Sequence, residues 1–350
     1  MGKRGPEIPS AGDKSPKGRR VLIVAPRLVA SFTRQDAQLL SHDFEVELHA
    51  YRGWRSILEL RRRIAESDLV FVWFAGRHSA VAALLARLRG LPLVIVIGGY
   101  EAVWIPEINY GVRPGSPSHR ILRRILSSAR LILTVSEYTS RSLLTSLPDL
   151  GNRERMIYNG VNTSDFNPGA TGGRECVLCV GIIAAHTITT KGWDLYWQTA
   201  AAMPDVSFIA AGPALDDTAR RFVGHRPANL TWLGPLHGPE LVSAYQRASV
   251  CFQGSWHESF SLSVAEAMAC GCIPVVTRVG ALPEVAGDVG FYLADRTVPS
   301  AVSAIRAALA APQECRSRAR ERVVSKFSAE RRGELLRAEI WRVLREHETP

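Results

Sequence analysis

The sequence has no run of about 18 uncharged apolar residues, so no segment reads as a membrane-spanning helix. Its longest apolar stretch, Leu91 to Gly99, holds Pro92 and reads as a buried strand. The first twenty residues contain no hydrophobic segment, which excludes a secretory signal there, and Pro6 stands where N-myristoylation needs Ser or Thr. Residues 1–19, rich in Lys, Arg, Gly, Pro and Ser, are expected to form a disordered basic tail. No Asp-x-Asp motif occurs, and no metal site is expected. Cysteine is scarce: Cys176, Cys179, Cys251, Cys270, Cys272 and Cys315. Cys176-x-x-Cys179 has redox or zinc spacing, but it sits in a strand-like run where residues three apart face opposite sides. Two thiols are also half of a zinc ligand set, unless Cys270 and Cys272 come close. The cysteines are therefore read as buried thiols of a reducing cytoplasm.

What is present suits a two-domain globular protein: 350 residues, 46% of them hydrophobic and 22% charged. The charge is uneven. Residues 1–168 carry 24 Lys/Arg against 15 Asp/Glu, whereas residues 169–350 carry 19 against 18. This asymmetry points either to an anionic partner for the N-terminal half, such as a membrane surface, an acidic acceptor or nucleic acid, or to a solvated basic surface.

Short apolar runs alternate with helical spacing along the whole chain. Strands are expected at 21–25, 44–48, 69–74, 93–97 and 131–135, with helices between, and an irregular Gly- and Pro-rich stretch at 98–118. A turn at Asn159-Gly160 opens a linker, and the rhythm restarts with strands at 176–181, 206–211, 230–233, 248–253 and 273–277. Two doubly wound, Rossmann-like α/β domains follow, at 20–160 and 165–328. The closing segment, residues 329–350, is read as an amphipathic helix that crosses back to the N-terminal domain.

Chemistry concentrates in one segment. A strand ending at Gln253 runs into a loop that holds Glu258, and a helix that contains Glu266 begins near Ser261. Free amides at that helix start would cradle an anion, and two carboxylates flank the cradle. Carboxylates accept hydrogen bonds from hydroxyls, of which sugars and ribose are made.

The segment GSWHESFSLSVAEAMACGCIPVVTRVGALPEVAGDVGFYL resembles the donor-site signature of family-4-type retaining glycosyltransferases. Glu258 and Glu266 match its E-x7-E element, with Ala267, Met268, Gly271, Pro274, Gly280, Pro283 and Glu284 in step. VSEYTSRSL (135–143), YNGV (158–161), Gly181 with KGWDL (191–195) and NLTWLG (229–234) also agree. The resemblance implies a GT-B architecture, two Rossmann-like domains facing across a cleft, and retaining, metal-independent transfer from a nucleotide-diphosphate sugar with no cofactor. It implies that Glu258 contacts the donor sugar, Glu266 the ribose and Lys191 the diphosphate. Gly181 and the amides of Phe260 and Ser261 would line the same cradle, with Ser259 beside them.

Three departures stand out. The family's Arg after the matched glycine is replaced by Ile182, which leaves Lys191 to act with help from His186, Thr187, Thr189 or Thr190. The usual Gly-Gly after the first strand is replaced by Pro26–Ser31. Ser259 and Ser261 stand where many members carry glycine, a small cost if φ stays negative.

In this fold the N-terminal domain should take the acceptor. Glu101, after the strand 93–97, is read as facing the cleft or as a surface carboxylate, with Tyr100, Asn109 and Tyr110 beside it. The acceptor is expected to be a carbohydrate or lipid-linked sugar, such as a glycan, glycolipid or surface polysaccharide precursor. Two helices, at 57–64 and 119–126, mix apolar and basic faces, which suits peripheral contact with an anionic membrane as well as plain packing. A cytoplasmic enzyme, peripheral on the inner membrane face, is expected, and no nucleic-acid partner. A catalytically inactive relative or a basic nucleic-acid-binding protein would be the alternatives.

Overall fold

Apolar runs buried on both faces make the strands of two parallel sheets. In this computed structural model, which describes residues 18–26, 30–169 and 176–349, the first sheet holds β1 (Arg20–Ala25), β2 (Glu45–Ala50), β3 (Leu69–Trp73) and β4 (Leu93–Ile97). A two-stranded hairpin, β5 (Trp104–Ile105) and β6 (Tyr110–Gly111), comes next, then β7 (Leu131–Thr134) and β8 (Glu154–Met156) return to the sheet. The second sheet holds β9 (Cys176–Val180), β10 (Ser207–Ala211), β11 (Leu230–Trp232), β12 (Ala248–Gln253), β13 (Ile273–Val276) and β14 (Phe291–Tyr292). Every residue of β3 and β4 is buried, whereas the edge strand β2 alternates, with Glu45 and Glu47 outward.

The strand orders are β2-β1-β3-β4-β7-β8 and β11-β10-β9-β12-β13-β14. The direction of winding therefore reverses between β1 and β3 in one sheet and between β9 and β12 in the other. Ligands of open α/β sheets bind at the carboxyl ends of strands at such points. The two short edge strands, β8 and β14, and the β5–β6 hairpin inside the stretch expected to be irregular are additions to the sequence reading. Two- and three-residue strands carry no apolar run long enough to stand out.

Helices Ile57–Ala65, Arg77–Leu88 and Pro117–Ser127 cover one face of the first sheet through Leu60, Ile64, Ala82, Ala86, Leu122 and Leu126. On the other face, helix Ser31–Leu40 packs against the final helix, Ala329–Glu348. Cys176 and Cys179 lie in separate apolar clusters, on opposite faces of their strand. The basic tail expected at 1–19 lies outside the described residues up to position 17, as do residues 27–29. Arg19 pairs with Asp68 at 3.2 Å and with Glu348.

The chain crosses between the halves twice, and the two crossings run side by side. Val161 N–H donates to Phe327 O, and Ala329 N–H to Val161 O, both at 2.8 Å. Above them the Arg332 guanidinium donates to Asp36 at 2.7 and 2.8 Å and to the carbonyls of Ile157 and Tyr158. Trp73 Nε1 donates to the same Asp36 carboxylate at 3.0 Å. Both charged side chains are almost wholly buried, so removing either leaves the other without a counter-charge. We expect Asp36→Ala to lower the unfolding free energy by about 3–5 kcal/mol, read as a shifted urea midpoint.

Candidate active site

The second sheet's reversal point is where the candidate residues gather. Gly181 follows β9, and the loop after β12 leads through Glu258 to helix Leu262–Ala269. Gly280 shapes that loop: its φ is +56°, and a Cβ there would lie 2.1 Å from Glu258 O. Ala281 N–H donates to the same carbonyl at 2.8 Å. Gly192, at φ +80°, lets the turn after Lys191 press on Gly254. Two glycines thus bring Lys191 and Glu258 together from distant stretches of sequence. Gly181 meets only Trp193 at 3.6 Å, and it is Gly212, at φ +143°, that permits the close backbone approach there.

A cleft of about 430 Å³ opens at this point. It is lined by Gly181, Lys191, Glu258, Ser259, Phe260 and Ser261 from one half, and by Phe32, Gly98 and Tyr110 from the other. Lys191 Nζ donates to Glu258 Oε1 at 2.9 Å, and Ser255 Oγ donates to the same oxygen at 2.9 Å. Gln253 in turn holds Ser255 Oγ and the Lys191 carbonyl. Glu258 is buried while Lys191 stays partly exposed, and Ser255 still donates to Glu258 when the ammonium turns towards an anion. Of the four side chains expected to assist Lys191, His186 and Thr187 reach the cleft. The Thr187 hydroxyl is engaged with Ala184 N–H and Ile182 O, and Thr190 with His186 O.

Glu266 does not line this cleft. Its side chain is partly buried, and Tyr245 OH donates to its carboxylate at 3.1 Å. Burial raises its pKa to about 7, against the downward pull of that hydrogen bond. Glu101 also stays out of the cleft: it is buried, and it accepts from Ala75 N–H at 2.9 Å and Gly99 N–H at 3.2 Å. Its carboxylate thus ties the loops after β3 and β4, and neither the cleft-facing nor the surface reading describes it. Tyr110 reaches the cleft and stacks edge-on against Tyr100, which is half exposed. Asn109, in the left-handed region at φ +46°, turns the hairpin.

From the sequence His257, beside Glu258, reads as a cleft-lining or supporting residue, but its partners across the interface do not show there. His257 lies between the rings of Tyr110 and Tyr138. Burial lowers its pKa to about 4, opposed by Glu258 and helped by Lys191, so its ring is neutral at neutral pH. Glu284 accepts from Glu137 N–H at 2.8 Å and Tyr138 N–H at 2.6 Å, so one half caps a helix of the other. Asn159 Oδ1 and Ser261 Oγ are buried with no hydrogen-bond partner, and both residues line the cleft.

Ser261 departs from expectation in a second way. Its φ is +74°, not negative, so the serine sits where glycine is favoured. We expect Ser261→Gly to raise stability by about 1 kcal/mol in denaturant unfolding. Glu266 makes a different prediction. A carboxyl normally near 4.5 and raised to about 7 takes up a proton on folding, so stability falls as pH rises between those values. The gap between wild type and Glu266→Gln should widen over that range, in favour of Gln, by on the order of 2 kcal/mol.

Comparisons with known proteins agree with this geometry. Residues 174–311 match the family Glycosyl transferases group 1, and residues 16–165 match Glycosyltransferase Family 4. The chain is 26% identical to sulfoquinovosyl transferase SQD2 of Arabidopsis thaliana, over 73% of its own length and 52% of the relative's. It is 27% identical to the D-inositol 3-phosphate glycosyltransferase of Mycolicibacterium paratuberculosis, over 79% and 67%. The match thus spans about half the length of the first of these relatives and two thirds of the second. Among solved structures, a Rickettsia africae glycosyltransferase superposes with a TM-score of 0.73 at 14% identity, covering 95% of this chain and 99% of that one. HepE of Anabaena, in complex with UDP and glucose, gives 0.72 at 15% identity, covering 93% and 100%. With a donor-type signature in one half, matching family segments in both and two sheets meeting at a cleft, the chain belongs to the group 1, family-4-type glycosyltransferases of the GT-B fold.

Proposed function

We propose that the protein moves a sugar from a nucleoside-diphosphate sugar to an acceptor held in the cleft, with retention of configuration and without a metal. The observation that carries this reading is the Lys191–Glu258 pair at the reversal point of the second sheet. In the reaction the bond from the anomeric carbon to phosphate breaks, and the acceptor oxygen bonds that carbon on the same face. The acceptor proton passes to the leaving phosphate. Negative charge develops on the diphosphate, where the Lys191 ammonium and the amides of Phe260 and Ser261 at the helix start would stabilise it. Glu258 would accept from donor-sugar hydroxyls. Glu266, partly exposed on the helix that starts at the cleft, would accept from the ribose hydroxyls in its ionised form. The acceptor would enter from the side of Phe32, Tyr110 and Tyr100.

The HepE complex makes uridine the first base to test, and the D-inositol 3-phosphate in one relative's name makes a phosphorylated polyol one acceptor to try. The acceptor is otherwise read as a glycan, glycolipid or surface polysaccharide precursor met in the cytoplasm. Thermal stabilisation by UDP, GDP, ADP and dTDP tests the donor site directly. A nucleotide at a hundred times its dissociation constant should add about 2.7 kcal/mol. We expect one nucleotide to stabilise the wild type and to lose its effect on Lys191→Ala and Glu266→Ala. If none acts at millimolar concentration, a binding relative without transferase activity replaces this reading.

A further inference from the structure

The helix layer on the outer face of the first sheet carries side chains that its own core does not use. Leu58 is 79% exposed, Leu84 59%, Leu88 72% and Ile121 55%, on three neighbouring helices, with Trp54 at 76% just before the first of them. Each points away from the sheet, because Leu60 and Ile64, Ala82 and Ala86, and Leu122 and Leu126 take the inward positions. The apolar side chains share this face with Arg61, Arg62, Arg77, Arg87, Arg120 and Arg124, all exposed. None of these six makes an ion pair among the described residues, whereas Arg63 and Arg123 are neutralised by Glu47 and Glu59, and by Asp149. Helices Arg77–Leu88 and Pro117–Ser127 contain no acidic residue at all.

The pattern distinguishes between kinds of partner. A protein interface concentrates apolar side chains at a centre depleted of charge. Here an arginine stands three or four residues after each of Leu58, Leu84 and Ile121, so no charge-free centre exists. At a lipid surface the same spacing is favourable: the leucines enter the acyl boundary while the arginine stems lie along it and the guanidinium groups stay at phosphate level. Trp54, with the Arg55 guanidinium 5.4 Å from its ring, is a residue suited to that boundary.

We propose that this face, built by helices Ile57–Ala65, Arg77–Leu88 and Pro117–Ser127, docks on an anionic lipid bilayer. The docking is independent of what the cleft transfers, and it leaves the opposite face of the sheet, under the final helix, in water.

Co-sedimentation of the full chain with vesicles tests it, using phosphatidylcholine alone and phosphatidylcholine mixed equally with phosphatidylglycerol. The wild type should pellet with the mixed vesicles and not with the neutral ones. Leu58→Ser/Leu84→Ser/Leu88→Ser and, separately, Arg61→Glu/Arg120→Glu should each bind at least about tenfold more weakly. Val324→Ser, an exposed apolar position on the other half, should bind as wild type does. All variants keep the basic N-terminal residues, so the loss reports the face itself. Equal binding of the triple variant and wild type, or equal binding to both vesicle types, would overturn the proposal. So would a wild-type dimer in sedimentation that the triple variant dissolves, which would assign the face to a second copy. Nucleotide stabilisation of the same variants, unchanged, keeps this test separate from that of the donor site.

Discussion

One buried guanidinium fastens the returning chain to the first half. Arg332 sits where the chain leaves the first half, at Ile157 and Tyr158, and where it returns, at the start of the final helix. Its partner Asp36 belongs to the first helix and is held in turn by Trp73 at the end of β3. Outgoing segment, returning segment and first sheet thus meet at one charge pair out of water. Because a stranded charge there would be costly, the pair favours one relative placement of these elements over others. Gly160 fits beneath it, since a Cβ there would lie 2.7 Å from the Ala329 backbone.

From that anchored hinge the two sheets face each other with their strand ends across a cleft. The contacts that close it are polar at the rim and aromatic further in. Glu284 caps the helix that starts at Glu137, while Tyr158 and Phe260 pack with Phe327 behind it. Gly99 and Ser259 touch so closely that a Cβ on the glycine would overlap the serine hydroxyl. The hinge is fastened by a buried ion pair and the rim by hydrogen bonds open to solvent. Opening at the rim therefore disturbs less than opening at the hinge, which is the asymmetry a cleft needs to admit and release a ligand.

Among the described residues that line the cleft, Lys191 is the one lysine or arginine. Lys191 is the exposed member of its pair, and Glu258 is fixed by Ser255 as well. His257, which could have added a second positive charge, is kept neutral by burial. The stretch from Ile182 to Thr190, which lacks the family's arginine, holds the short helix Ala185–Thr190, in which the Thr187 and Thr190 hydroxyls bond to backbone nearby. In the proposed reaction, anion binding would therefore fall to Lys191 and the amides beyond Ser259.

Much of this was legible from the sequence, for a physical reason. A parallel strand buried on both faces must be apolar throughout, so β1, β3, β4 and β7 appear as runs of Val, Ile and Leu. The donor-type element was equally visible, because Glu258, Glu266 and the Gly280 turn lie within one short stretch whose spacing follows from strand, loop and helix. The sequence by itself thus determined the fold class, the two-sheet division and the position of the signature loop. Tertiary structure alone decided what each carboxylate touches. Glu101, read as cleft or surface, is drawn inward by two amides of separate loops; Glu266 turns to Tyr245; Glu284 reaches across to another half. Only the folded chain showed that Ser261 adopts positive φ, or that Leu84 and Leu88 point outward from a helix whose alanines fill the core. Strand identity follows from local composition, but a side chain's partners come from residues tens to hundreds of positions away, and no local pattern records them.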